Sequence, residues 1–170
     1  MKSLNLLKTL IELFLFFSVL GGLAVIVVVP LKLINPELDI PISIKGVEVT
    51  GGDWLSLLVI ILAAIGAAFF IYAIFMLRKV LQLFLQNEIF TDTVISHFKV
   101  IGRCIITSGV LTSVPMFFYN MIQRNNLGIE FTSGGFDSLL LSVSLGLLFI
   151  VIGEIFQMAK NLQEENELTV

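Results

Sequence analysis

The stretch WLSLLVIILAAIGAAFFIYAIFML, residues 54–77, holds no charged side chain and is followed at once by Arg78 and Lys79. A helix of about 20 apolar residues crosses the roughly 30 Å of hydrocarbon in a bilayer, where only a helix or a closed barrel satisfies its own backbone hydrogen bonds. This run is long enough to cross. Working outward, the sequence holds three more runs of the same kind: Leu10 to Leu31, Val100 to Ile122 and Phe136 to Met158. The reading is a single membrane domain over residues 1–170, an all-α membrane protein built as a four-transmembrane-helix bundle with spans at about 10–31, 54–77, 100–122 and 136–158.

Composition agrees. Apolar residues make up 57% of the 170-residue chain, above the roughly 45 to 50% of soluble domains, and the mean hydropathy is +1.02. Charged residues are only 14%, gathered between the apolar runs. With a net charge of -3 there is no clustered Lys and Arg to recruit a nucleic-acid backbone, so direct nucleic-acid binding is not expected. Lys2 and Lys8 precede the first apolar run as they would in a secretory signal. That run is longer than a signal core, however, and no small-x-small cleavage site precedes Pro30, so it reads as an uncleaved first span.

Positive charge sets the expected orientation. Lys2, Lys8, Arg78, Lys79, Lys99, Arg103 and Lys160 fall on one side of the spans, and Lys32, Lys45 and Arg124 on the other. The positive-inside rule then gives a multi-pass protein of the inner (cytoplasmic) membrane with both termini in the cytoplasm. Trp54 and Tyr119 fall at the outer boundary, where amphipathic rings are favoured.

In the outer loop, residues 32–53, Ile42, Ile44, Val47 and Val49 alternate around Lys45-Gly46 and predict a small β-hairpin. Ile129 and Phe131 could add a third strand, giving a hairpin or sheet cap over the bundle. On the inner side, residues 78–99 predict a cytoplasmic helical hairpin. Leu81, Phe84, Leu85, Val94 and Phe98 form its apolar face, and Thr91-Asp92 supply a helix start. An acidic cytoplasmic tail, residues 160–170, carries Glu164, Glu165 and Glu167.

Small residues recur four apart in every span: Ser18/Gly22, Ala63/Ala67, Ala64/Ala68, Ser108/Thr112, Gly109/Ser113 and Ser138/Ser142/Gly146. Such spacing lets helix backbones approach closely in lipid, within one chain or in a homo-oligomer. The third span is the most polar, with Thr107, Ser108, Thr112 and Ser113, and should face other helices rather than lipid. Charge inside a membrane is costly, so Arg103, Glu154 and Glu12 are read as a structural ion pair near the inner boundary, Arg103 pairing with one of the two carboxylates. Pro115 lacks an amide hydrogen and is the candidate helix kink.

Catalytic chemistry finds no footing in this sequence. The single Cys104 lies in a span, where it reads as a small packing residue. The single His97 offers no metal-ligand partner, and no cofactor is implied. There is no phosphate-binding loop, dinucleotide glycine fingerprint or nucleophile elbow. The expectation is a non-enzymatic protein.

Two sets of residues carry a family resemblance. At the C-terminus these are Glu154-Ile155-Phe156, Ala159, Leu162 and the ending Glu165-Asn166-Glu167-Leu168-Thr169-Val170. In the inner loop they are Leu77-Arg78-Lys79, Asn87-Glu88-Ile89-Phe90-Thr91 and Ile101-Gly102. Both sets resemble a bacterial four-helix membrane protein family, domain of unknown function 2975, although the inner turn here lacks the glycine and proline of that pattern. The resemblance implies no activity. It does imply a context, because members are often encoded beside a small helix-turn-helix regulator. The resulting expectation is a regulatory or interaction module in the bilayer that binds such a cytoplasmic partner. Its candidate surface is Phe84, Asn87, Phe90, Thr91, His97, Glu164, Glu165 and Glu167. The alternative is an oligomeric small-solute or ion channel or transporter component, lined by the polar face of the third span.

Overall fold

A computed structural model describes residues 2–35, 42–44, 47–49, 54–123 and 136–168. It contains four helices, α1 (Lys2–Ile34), α2 (Trp54–Leu85), α3 (Asp92–Gln123) and α4 (Phe136–Leu168), with two short strands, β1 (Ile42–Ile44) and β2 (Val47–Val49), between α1 and α2. All four helices are long and apolar enough to cross a membrane, which is the build of a multi-pass membrane protein.

The helices pack in chain order, α1 on α2, α2 on α3 and α3 on α4, so α3 is gripped from two sides while α1 sits at an edge. Burial follows this order: 44% of the apolar window of α3 lies inside the protein, against 6% for α1. The most polar span is therefore the most interior one, as its hydroxyls predict. At about 1.5 Å per residue, helices of 32 or 33 residues reach well beyond a hydrocarbon layer of about 30 Å. The apolar run of α2 begins at its first residue, Trp54, so its surplus turns all follow Leu77; those of α3 precede Val100. The excess length collects at the end where α2 turns into α3.

The expected cap over the bundle is corrected by the structure. β1 and β2 pair antiparallel, with Ile42 opposite Val49, but their main contacts are with each other and not with helix ends. Two strands of three residues present too little apolar face to cover four helices. The third strand expected at 129–131, and Lys45-Gly46, lie outside the described residues.

The turn between α2 and α3 explains how the chain reverses without a glycine. Asn87 adopts φ 63°, the left-handed region. The amide of Glu88 donates to the Leu83 carbonyl at 3.0 Å and that of Asn87 to Phe84 at 3.2 Å, the paired bonds that close a helix with a left-handed residue just past its end. Asparagine tolerates this conformation better than other non-glycine residues. Thr91 then opens α3: its hydroxyl accepts from the Val94 amide at 3.4 Å and its carbonyl from the Ile95 amide at 3.2 Å. Asn87→Gly should match or exceed the parent in thermal stability in detergent, whereas Asn87→Val should cost about 1 to 2 kcal/mol. Equal melting of the two variants would show that the left-handed turn is unimportant.

Candidate functional site

The hairpin end of the molecule is assembled from α2, α3 and α4. Phe98, on α3, is buried and stands among Phe84 of α2 at 6.2 Å and Phe149 and Phe156 of α4 at 6.2 and 5.4 Å between ring centroids. Phe84 stacks on Phe156 at 5.8 Å, and Phe90 from the turn joins the same ring at 5.7 Å. Phe98 shares one buried core with Ala73, Met76, Val80, Val94, Ile101, Cys104 and Ile105, where Cys104 packs as a small apolar side chain. The apolar face of the hairpin thus closes on α4. Phe84 is turned inward, and Asn87, Ile89 and Phe90 remain exposed at the tip.

The other candidate surface residues divide. Thr91 is engaged as the helix cap, and Glu164 is tied to Lys160 at 3.4 Å. Lys160 also reaches Asp92 at 2.6 Å, fastening α4 to the start of α3. Glu165 lies on the exposed last turns of α4, which runs helical to Leu168 and includes Glu167. His97 is half-buried, with its Nδ1 shielded and without a hydrogen-bond partner. No three His, Cys, Asp or Glu side chains among the described residues come together to hold a metal.

The ion pair takes a different form from the expected one. Glu12 accepts from Arg78 Nε at 3.0 Å, joining α1 to α2. Arg103 and Glu154 are both exposed and form no pair with each other. The reason is angular. Gly102 and Gly153 are the residues that face the neighbouring helix, and Arg103 and Glu154 each follow by one position, about 100° around a helix of 3.6 residues per turn. The Glu12–Arg78 pair was legible in principle, since the two residues lie at one boundary on consecutive, oppositely running spans. Glu12→Gln and Arg78→Gln should each lower stability in detergent, with a coupling of about 0.5 to 1 kcal/mol in the double-mutant cycle, because both side chains keep partial access to solvent. Strict additivity would show the pair to be idle.

Several hydroxyls of α3 bond within the molecule. Ser56 donates to Tyr119 Oη at 3.3 Å in a buried contact, and Ser108 and Ser113 are buried. Thr107 donates to the Arg103 carbonyl at 2.8 Å and Thr112 to that of Ser108 at 2.9 Å. Pro115 lies inside α3, which continues past it to Gln123.

Residues 36–170 match the model described as Protein of unknown function (DUF2975). The chain belongs to that family. No curated protein and no solved structure matches it. The DUF2975 match takes in α2, α3 and α4, the three helices that build the aromatic layer, and leaves α1 outside. It also includes the hairpin turn, where the DUF2975 chain uses Asn87 in the position that requires a left-handed residue.

Proposed function

We propose that this chain is a non-enzymatic interaction module of the inner membrane, with both termini in the cytoplasm, that binds a cytoplasmic protein through its hairpin end. The observation that carries this reading is the aromatic layer. Phe84 and Phe98, from the stretch between the second and third apolar runs, pack on Phe156 near the end of the fourth and lock three helices together; connection alone between those two runs would need only a short link of about 2 to 8 residues. The layer holds Asn87, Ile89 and Phe90 outward on a rigid support, beside the acidic last turns of α4. A small, basic helix-turn-helix regulator, the partner that the family resemblance implies, fits this chemistry.

The direct test is co-elution of the purified, detergent-solubilised chain with the regulator encoded beside it. Wild type should retain the regulator, and Phe90→Asp combined with Glu164→Lys and Glu165→Lys should lose it. Retention by the variant, or no retention by wild type, overturns the reading. Orientation is tested separately in a Cys104→Ser background. A membrane-impermeant thiol reagent added to intact cells should modify Lys45→Cys and spare Glu88→Cys, and the reverse pattern would invert the topology.

A further inference from the structure

A second feature of the hairpin end runs along α3 from its first residue. An open cavity of about 270 Å³ is formed mainly by α3, from Asp92 through Ser96 and Lys99 to Arg103, with Gln157 contributed by α4; Ile95 and Val100 supply its apolar surface. Lys99 and Arg103 are four residues apart and so occupy one face of α3, a single turn from each other. Neither side chain has an ion-pair or hydrogen-bond partner among the described residues. The one carboxylate at the cavity, Asp92, is already taken by Lys160 at 2.6 Å. Two cations therefore face one cavity with no anion to offset them.

Their depth matters. Side chains on a helix lean toward its N-terminus, so Arg103 and Lys99 both reach toward the hairpin end. Long cationic side chains near a span boundary bury their stems and extend their heads to the interface. The two heads thus converge at the membrane boundary, where lipid phosphates lie in either leaflet. We infer that the cavity lined by Ser96, Lys99, Arg103 and Gln157 is a binding site for a phosphate group at the membrane boundary, borne by an anionic lipid headgroup or by a soluble phosphate compound. A guanidinium offers a planar two-pronged donor to phosphate oxygens and an ammonium offers a point charge. The Ser96 hydroxyl and Gln157 amide add neutral donors.

This site is independent of the partner proposed above and of the orientation of the chain. The test uses the full chain in detergent, with native mass spectrometry counting bound phosphatidylglycerol against phosphatidylcholine. Wild type should retain phosphatidylglycerol preferentially. Lys99→Gln with Arg103→Gln should weaken that retention at least tenfold, while Lys79→Gln, which removes a boundary cation lying over Phe75 outside the cavity, should leave it unchanged. Inorganic phosphate added at constant ionic strength separates the sources. Displacement of the lipid assigns the site to a soluble phosphate compound, persistence assigns it to the headgroup, and either outcome upholds a phosphate site. Because a double variant can misfold, Arg103→Lys is a second probe: it keeps the charge, loses the fork, and should reduce retention severalfold. Equal retention by wild type and by either cavity variant, or equal retention of the two lipids by wild type together with no binding of inorganic phosphate, overturns the inference.

Discussion

Gly102→Ala and Gly146→Ala should each loosen α4 from α3 and lower stability in detergent by about 1 to 3 kcal/mol, whereas Gly21→Ala should be neutral or slightly stabilising. A methyl group at Gly102 would collide with the Gly146 carbonyl oxygen and approach the Ile150 amide at 3.1 Å. One at Gly146 would lie 2.7 Å from the Gly102 carbonyl oxygen and 2.5 Å from Ile106 Cγ1. At each position a backbone carbonyl oxygen of the facing glycine stands in the way beside a β-branched isoleucine; the carbonyl cannot rotate aside as a side chain can, so the two helices must separate. Separation is expensive in a bilayer because lipid chains are as apolar as leucine, and helix association there depends on close contact between backbones. Gly21 has nothing within 4 Å of such a methyl group and serves as the matched control. Reversible unfolding in mixed detergent gives the readout. Equal effects at Gly21 and Gly102 would mean that the close contact between α3 and α4 adds nothing to the helix propensity that each change to alanine gains.

The same seam shows what the sequence could reveal and what it could not. The spans were legible because water-to-hydrocarbon transfer imposes a coarse demand, about 20 apolar residues in a row, that no local detail can disguise. The interior place of α3 was legible from its hydroxyls. The residues that meet across α3 and α4 were only half legible. A four-residue spacing finds Ser142 and Gly146, which do face α3, yet on α3 the close approaches are Gly102 and Gly109, seven apart, and Gly153 follows Gly146 by the same interval. Seven residues make two turns of helices packed at a shallow angle. One-turn spacing does not mark Gly102 and Gly153. The directions of Arg103 and Glu154 follow from those two glycines, because each charge sits one position beyond the residue that faces the partner helix. Pro30, inside the first apolar run, does not end the helix, and α1 continues through it to Ile34. Membrane helices tolerate proline when surrounding groups satisfy the freed carbonyl.

Phe98→Ala should be the most damaging single truncation in the hairpin, costing about 3 to 5 kcal/mol. Phe98 is only 6% exposed and its ring contacts three others contributed by α2 and α4. Removing the ring leaves a cavity among packed neighbours on three helices, so the lost contacts and the unfilled space both count against the variant. The same truncation facing lipid exchanges one apolar contact for another. Phe69→Ala is the comparison, since Phe69 is 39% exposed on α2 within the apolar run, and it should have a small effect. The position of the loss is as informative as its size. Phe98 touches both neighbouring helices, so its truncation should free the hairpin tip and raise proteolytic cleavage between Gln86 and Thr91, while the glycine seam deeper in the bundle keeps the spans associated. Phe156→Ala, which removes the ring shared by Phe84, Phe90 and Phe98, should give the same cleavage pattern. If both variants resist protease like the parent and differ from Phe69→Ala by less than about 1 kcal/mol, a large difference on the scale of ordinary point mutations, the aromatic layer does not hold the hairpin in place. The exposed tip would then have no rigid support with which to present Asn87, Ile89 and Phe90 to a partner.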